Sequence, residues 1–494
     1  MSFLSAFRPA RVALFAWKPG LLGLLLGLAL ISPSISAQQQ ELPTLGLGSS
    51  YSISLHQEAA LGQAWLRRFR AQTEIYYDPL LQNYLEGLVT RLASYHTGLD
   101  EIEQDLVVVD QPQLNAFAVP GGILGVHTGL FAFASHEDEL ASVLAHELAH
   151  LSQRHYARRV EASQGAQWST LAGLLAGILV ASQGHADAGM AAIAGTQAAA
   201  IQEQLAWSRT YEHESDRLGM ETLAAAGFSP EAMPSMFEEM QKLTSLNGRP
   251  PEFLMTHPLT ASRIADAWAR ADQLNSSQPR IKGRDYELLR VRILFHQASS
   301  PATAYRRFMQ EQASPAAARY AAILKVQAEG QSQQAQQEIT AWAAEHPQWL
   351  LAQVIQAEIL LQEEELQAAV TALKAILAFS PEYYPALYLL AQAHTQAEDW
   401  QAAQEVWQDL TRRRPEDPRV WYQLAEVAGQ AGHSIQVHQA RAEYLQLTGR
   451  FRQARSQLEL ALEKAREQQA PWQRQEVIRQ RQRELQALQE RLDV

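Results

Sequence analysis

The alternation of apolar and polar positions divides the chain into three textures. From Asp78 onward, Leu81, Tyr84, Leu85, Leu88 and Leu92 recur at helical spacing, with Asp78 placed to cap a helix and Pro79 suited to its first turn. Short apolar runs at 106–109, 115–119 and 123–126 read as strands, the last two joined by a turn at Pro120-Gly121-Gly122. Directly after them, residues 143–155 read V-L-A-H-E-L-A-H-L-S-Q-R-H, an apolar helical segment that nonetheless carries three histidines and a glutamate. Residues 166–201 form the second texture: a charge-free Gly/Ala-rich run, a break at Gly184-His185-Ala186-Asp187, and a further small-residue run. At about 15 residues the first run is short for a membrane span. The segment reads either as a helical hairpin over the histidine helix, within reach of substrate or of peripheral membrane contact, or as a plain packed pair.

The third texture begins near residue 285, where Ala, Gln, Glu and Leu dominate with helical periodicity. Pro347, Pro381 and Pro415 are spaced by 34, as are Ala357, Ala391 and Ala425, and Ala369 and Ala403 keep the same interval. A 34-residue unit of two helices, with small residues at fixed places and a proline near its end, resembles the tetratricopeptide repeat. Ala442 and Ala454 keep the within-unit spacing of 12 but fall out of phase, and Pro471 opens a last helix with Ile478, Leu485, Leu488 and Leu492 on one side. The predicted plan is a leader at 1–37, a first domain at 50–270, a repeat domain at 285–465 and a capping helix at 466–494. The fold class expected is mainly α with a small β-sheet, followed by an α-solenoid.

Charge and cysteine content narrow the setting. The 494 residues carry a net charge of −12 without a dominant basic patch, which argues against nucleic acid as a partner. Arg8, Arg11 and Lys18 precede an uncharged run from Leu21 to Ile31, then small residues up to Ala37. That is the form of a secretory signal peptide cleaved near Ala37, with an uncleaved anchor as the rival. There are no cysteines, so an exported chain must be held by its core rather than by disulfides. Together these features point to a bacterial periplasm.

The chemistry concentrates in the histidine helix. Four residues along a helix return to nearly the same face, so His146 and His150 present two nitrogens side by side, as a tetrahedral metal needs. Glu147 lies beside them and is placed to act on a metal-bound water. A third ligand is required. The extended pattern with glycine at 153 and histidine at 156 is excluded by Gln153 and Tyr156. Nine residues from His146, His155 falls on the opposite face of a continuous helix and reads as solvated or structural. The later segment S-R-T-Y-E-H-E-S-D-R-L-G, residues 208–219, offers Glu212 as a ligand and Asp216 as acceptor from a ligand histidine, while Glu214, about 200° from Glu212 around a helix, would point away and ranks second.

H-E-L-A-H followed about 60 residues later by E-H-E-S-D resembles the HtpX-like and CAAX-prenyl-protease-like zinc metalloproteases. The resemblance implies a gluzincin-type metalloprotease domain holding one Zn2+ per chain, with Glu212 as metal ligand, Glu147 as catalytic base and Asp216 as a catalytic-site carboxylate. Ser215 stands where that family commonly has alanine. His257, in M-T-H-P-L-T-A-S-R-I, matches a His-Pro that can reach the zinc as a reversible fourth ligand or stabilise an oxyanion. The stretch Asn115, Ala116, Phe117 resembles the edge strand that binds extended substrate in these enzymes. With leader and repeats, the arrangement resembles periplasmic members serving outer-membrane protein quality control. These degrade unfolded or stalled outer-membrane proteins and assist β-barrel assembly, the repeats docking on the assembly machinery. The alternative is a non-proteolytic chaperone or adaptor in which zinc is structural.

Overall fold

The computed structural model describes residues 53–100, 102–162, 176, 179, 198–274, 283–311 and 313–492. The leader and most of the 166–201 segment lie outside these described residues. Helices α1 (Leu55–Gln72) and α2 (Pro79–Ser94) precede strands β1 (Asp105–Val109), β2 (Ala116–Val119) and β3 (Ile123–His127). Then come α3 (Thr128–Phe133), α4 (Glu137–Ser152), α5 (His155–Ala162), α6 (Ala198–Ala225), α7 (Ala232–Asn247), α8 (Glu252–Thr256) and α9 (Ala261–Gln273). The chain is thus mainly helical with a small sheet.

Asp78 caps α2 by accepting from the N–H groups of Leu80 and Leu81, and Pro79 opens the first turn without wasting a donor. The sheet order is β1-β3-β2, with β1 parallel and β2 antiparallel to β3, so β2 lies at an edge. Strand alternation sends Ala116, Ala118, Leu124 and Val126 into the core shared with α4, and Phe117, Val119 and Ile123 into a second cluster with Trp65 and Phe69 of α1. Both faces are therefore buried, which accounts for the nearly unbroken apolar runs. At the Pro120-Gly121-Gly122 turn both glycines take positive φ, and a Cβ on Gly122 would collide with the carbonyl of Glu103.

Sandwiched between the sheet and α6, helix α4 is buried from Leu140 to Ser152. Three acids, Glu137, Asp138 and Glu139, occupy its first turn and complement the helix dipole. Gly219 of α6 lets the two helices meet, since a Cβ there would stand 3.1 Å from the His146 backbone nitrogen.

Helix pairs continue through α10 (Arg284–Gln297), α11 (Pro301–Met309), α12 (Pro315–Ala328) and α13 (Ser332–Glu345) to α14 (Leu350–Gln362), α15 (Leu366–Phe379), α16 (Tyr384–Gln396) and α17 (Trp400–Arg413). The last are α18 (Pro418–Gln430), α19 (Ser434–Leu447), α20 (Phe451–Glu467) and α21 (Trp472–Leu492). Ala357, Ala369, Ala391, Ala403 and Ala425 are all buried where paired helices approach. One apolar core runs without a break from α2 and α4 into the helices up to α16. Polar contacts reinforce it. On α10, Tyr286 donates to the Ala134 carbonyl and Arg290 to that of Phe131, while Arg292 holds both Asp78 and Glu358. Further along, Arg414 grips Glu86 of α2 through two bonds of 2.7 and 2.6 Å.

Candidate metal and catalytic site

Helix α4 brings His146 and His150 to one face, α6 supplies Glu212, and the residue after α8 is His257. One donor atom from each of these four buried residues lies within 4.8 Å of all the others. His146 Nε2 stands 3.1 Å from His150 Nε2 and 3.4 Å from His257 Nδ1. The Glu212 carboxylate lies 3.3 Å from His146 Nε2, 3.5 Å from His150 Nε2 and 3.2 Å from His257 Nδ1. Four ligands at zinc–nitrogen and zinc–oxygen bond lengths would be separated by roughly 3.3 Å along the edges of a tetrahedron. The spacing fits, and so does the chemistry: nitrogen and oxygen donors, without thiolate.

The electrostatics favour a cation there. Burial alone would depress the pKa of His146, but Asp216 and Glu212 outweigh it and raise that pKa to about 9. A site that holds a proton so firmly also attracts a divalent ion. His150 is pushed well below the ordinary histidine range, by burial first, and so keeps a free lone pair. Burial opposes ionisation of Glu212, but His257 and Arg263 overcome it and hold the carboxyl well below its usual range. The carboxyl of Glu147 is raised by its burial. Its Oε1 lies 3.4 Å from His257 Nε2, and the Ala118 backbone N–H of edge strand β2 donates to its carboxylate.

A second layer orients these groups. Asp216 Oδ1 is 3.0 Å from His146 Nδ1, and Arg263 of α9 grips Asp216 with two bonds of 2.7 Å. Arg263 also reaches Glu212 at 3.0 Å and donates to the Pro258 carbonyl at 2.8 Å, tying the His257 loop to the same carboxylates. Phe253 stacks on the His257 ring at 4.6 Å between centroids. Sequence reasoning gave no role to Arg263, although it stands in the same M-T-H-P-L-T-A-S-R-I stretch as His257.

One reading changes, and one holds in that Glu214 points away. His155 is neither solvated nor directed away from the site: α4 ends at Ser152, and Arg154 takes a positive φ of 50°. Helical phase is lost there, so His155 turns back, 4% exposed, with its Nδ1 at 2.9 Å from His150 Nδ1. Glu214 faces away from the donor cluster, 3.2 Å from His155 Nε2 and 2.9 Å from Arg158 Nη1. At the edge strand, Asn115 spends its amide on Glu252 at 3.0 Å, and the Phe117 ring lies over Gly125 on the far sheet face. The strand's approach to the catalytic region is therefore through main chain.

Fold and site together define a gluzincin-type metallopeptidase carrying a helical-repeat domain. Residues 79–271 match the model of Peptidase family M48, and residues 360–427 that of the Tetratricopeptide repeat. The chain is 32% identical over 422 residues to the Beta-barrel assembly-enhancing protease of Yersinia pestis, covering 84% of this chain and 86% of that one. It is 32% identical over 439 residues to the protein of the same name in Escherichia coli, covering 87% and 89%. A more distant relative is Metalloendopeptidase OMA1, mitochondrial, of Bos taurus, 27% identical over 217 residues, covering 40% and 41%. The chain belongs to the beta-barrel assembly-enhancing protease family within peptidase family M48. It is a zinc metalloendopeptidase, a hydrolase of peptide bonds.

Proposed function

We propose that the chain is a periplasmic endopeptidase that degrades misfolded or stalled outer-membrane proteins and assists β-barrel assembly, its repeats docking on the assembly machinery. The names of its relatives and its leader-like N-terminus support this setting. The observation that carries the catalytic reading is the convergence of His146, His150 and Glu212 beside the buried carboxylate of Glu147. These residues would hold one zinc ion, which when bound lowers the pKa of a coordinated water and polarises the scissile carbonyl.

Glu147 receives the proton from the attacking water and delivers it to the leaving amine. Its buried setting, which raises its pKa, suits a group that must first accept and then release a proton. Asp216 and Arg263 fix the His146 ring so that its Nε2 faces the donor cluster. Extended substrate adds to β2 through main-chain bonds, an arrangement that reads unfolded polypeptide rather than one sequence.

His257 gives the site a resting state. Its Nδ1 stands among the donors while its Nε2 faces Glu147, so the ring would serve as a fourth ligand and at the same time engage the base. Catalysis then requires the 257 loop to withdraw. The decisive experiment is Glu147→Gln in the full chain, assayed on an unfolded outer-membrane protein. Cleavage should fall roughly 10²–10⁴-fold while bound zinc stays at one per chain. Unchanged cleavage with zinc retained would refute the assignment of Glu147.

A further inference from the structure

Among the described residues outside the donor cluster, a connected group of polar side chains, led by the buried His155, lies on the far side of His150. We propose that His155 is a positioning residue for His150, anchored by Glu214, and that this chain of side chains sets the affinity of the site for its metal. The inference rests on the reading of His150 as a zinc ligand.

Hydrogen-bond logic fixes the direction. A ligating Nε2 must offer its lone pair, so the His150 proton sits on Nδ1. That N–H points at His155 Nδ1, 2.9 Å away, which must therefore accept. With Nδ1 accepting, the proton of neutral His155 sits on Nε2 and donates to Glu214 Oε2 at 3.2 Å. Arg158 Nη1 donates to the same oxygen at 2.9 Å, keeping it a carboxylate. Every donor meets an acceptor, and no alternative tautomer satisfies the chain while leaving the His150 lone pair free.

The geometry is held rigidly. The His155 ring stacks on Tyr211 at 4.4 Å with an 18° tilt, and the Arg158 guanidinium covers the same tyrosine at 4.8 Å. Ser215 Oγ lies 3.5 Å from His155 Nδ1, a weak additional donor. The site thus has two orienting partners of different make. Asp216 Oδ1 stands 3.0 Å from His146 Nδ1 itself, whereas Glu214 accepts from the imidazole that in turn accepts from His150. The relay depends on α5 and α6, which bracket residues 163–197, keeping their mutual position.

The test measures zinc affinity of the full chain by competition with a chelator, with circular dichroism as control. His155→Ala should bind zinc about 10–100-fold more weakly, the usual cost of losing a partner behind a ligand histidine. His155→Asn places an amide oxygen where Nδ1 was and should recover most of that loss. His155→Gln reaches Glu214 but offers His150 no acceptor, so it should behave like alanine. Glu214→Gln should weaken binding by a smaller factor. A folded His155→Ala with wild-type affinity, or asparagine and glutamine variants that bind alike, would overturn the relay. If the wild-type chain itself took up no zinc, the metal reading would fail instead, so the two failures are distinguishable.

Discussion

The replacement Arg263→Met tests the second layer most directly. The guanidinium is 1% exposed, and the carboxylates it serves, Asp216 and Glu212, are 8% and 5% exposed, so water screens little of the interaction. Arg263 makes two bonds of 2.7 Å to Asp216 and stands 3.0 Å from Glu212. Methionine fills similar space but leaves the buried carboxylates of Asp216 and Glu212 without their guanidinium partner. Stranding a buried charge in this way costs about 3–5 kcal/mol. Urea unfolding followed by tryptophan fluorescence, with chelator present, should show that loss. Adding Asp216→Asn removes the stranded charge, and the double variant should recover about 2 kcal/mol relative to additivity. A loss below about 1 kcal/mol for Arg263→Met, or strict additivity in the double variant, would show that the ion pair contributes no more than an exposed one.

Other expectations follow from the same geometry. His257→Ala should raise basal cleavage of an unfolded substrate with zinc retained, because three donors remain; unchanged cleavage would remove His257 from the resting state. His96 is buried between Thr222 Oγ1 at 2.6 Å and Ser152 Oγ at 2.7 Å, and burial lowers its pKa to about 4. Its neutral form is the one folded, so its contribution is complete above pH 6.5 and declines as pH falls toward 4. The loss approaches about 3 kcal/mol at about 1.4 kcal/mol per unit. His96→Gln should flatten that part of the stability–pH curve, and an unaltered slope would reject the assignment. Gly219→Val should part α4 from α6, destabilising the chain by about 1–3 kcal/mol and weakening zinc binding in the same protein. A thermal scan and the chelator competition check both.

What the sequence reveals depends on how local the signal is. The stripe of leucines on α2, the strand runs and the 34-residue alanine and proline spacing are properties of short windows, and the structure turns each into an element. His146 and His150 meet because one helix dictates it. Glu212 and Asp216 are legible as a pair on α6, but nothing local says that α6 crosses α4 at Gly219. The placement of His155 on the opposite face failed at a single residue, because a helical wheel assumes unbroken phase and Arg154 in the left-handed region resets it; of its two alternatives, the structural one stands. Arg263 is invisible for another reason. It lies 47 residues from Asp216, in a helix whose pattern is that of any amphipathic segment.

The undivided core beneath the two halves carries a practical consequence. Cutting the chain near residue 275 would bare the apolar side of α2 and take away the side chains that quench the carbonyls of Phe131 and Ala134. A truncated peptidase should precipitate rather than work alone, and the solenoid's early turns are better regarded as part of the enzyme's foundation than as an accessory it wears.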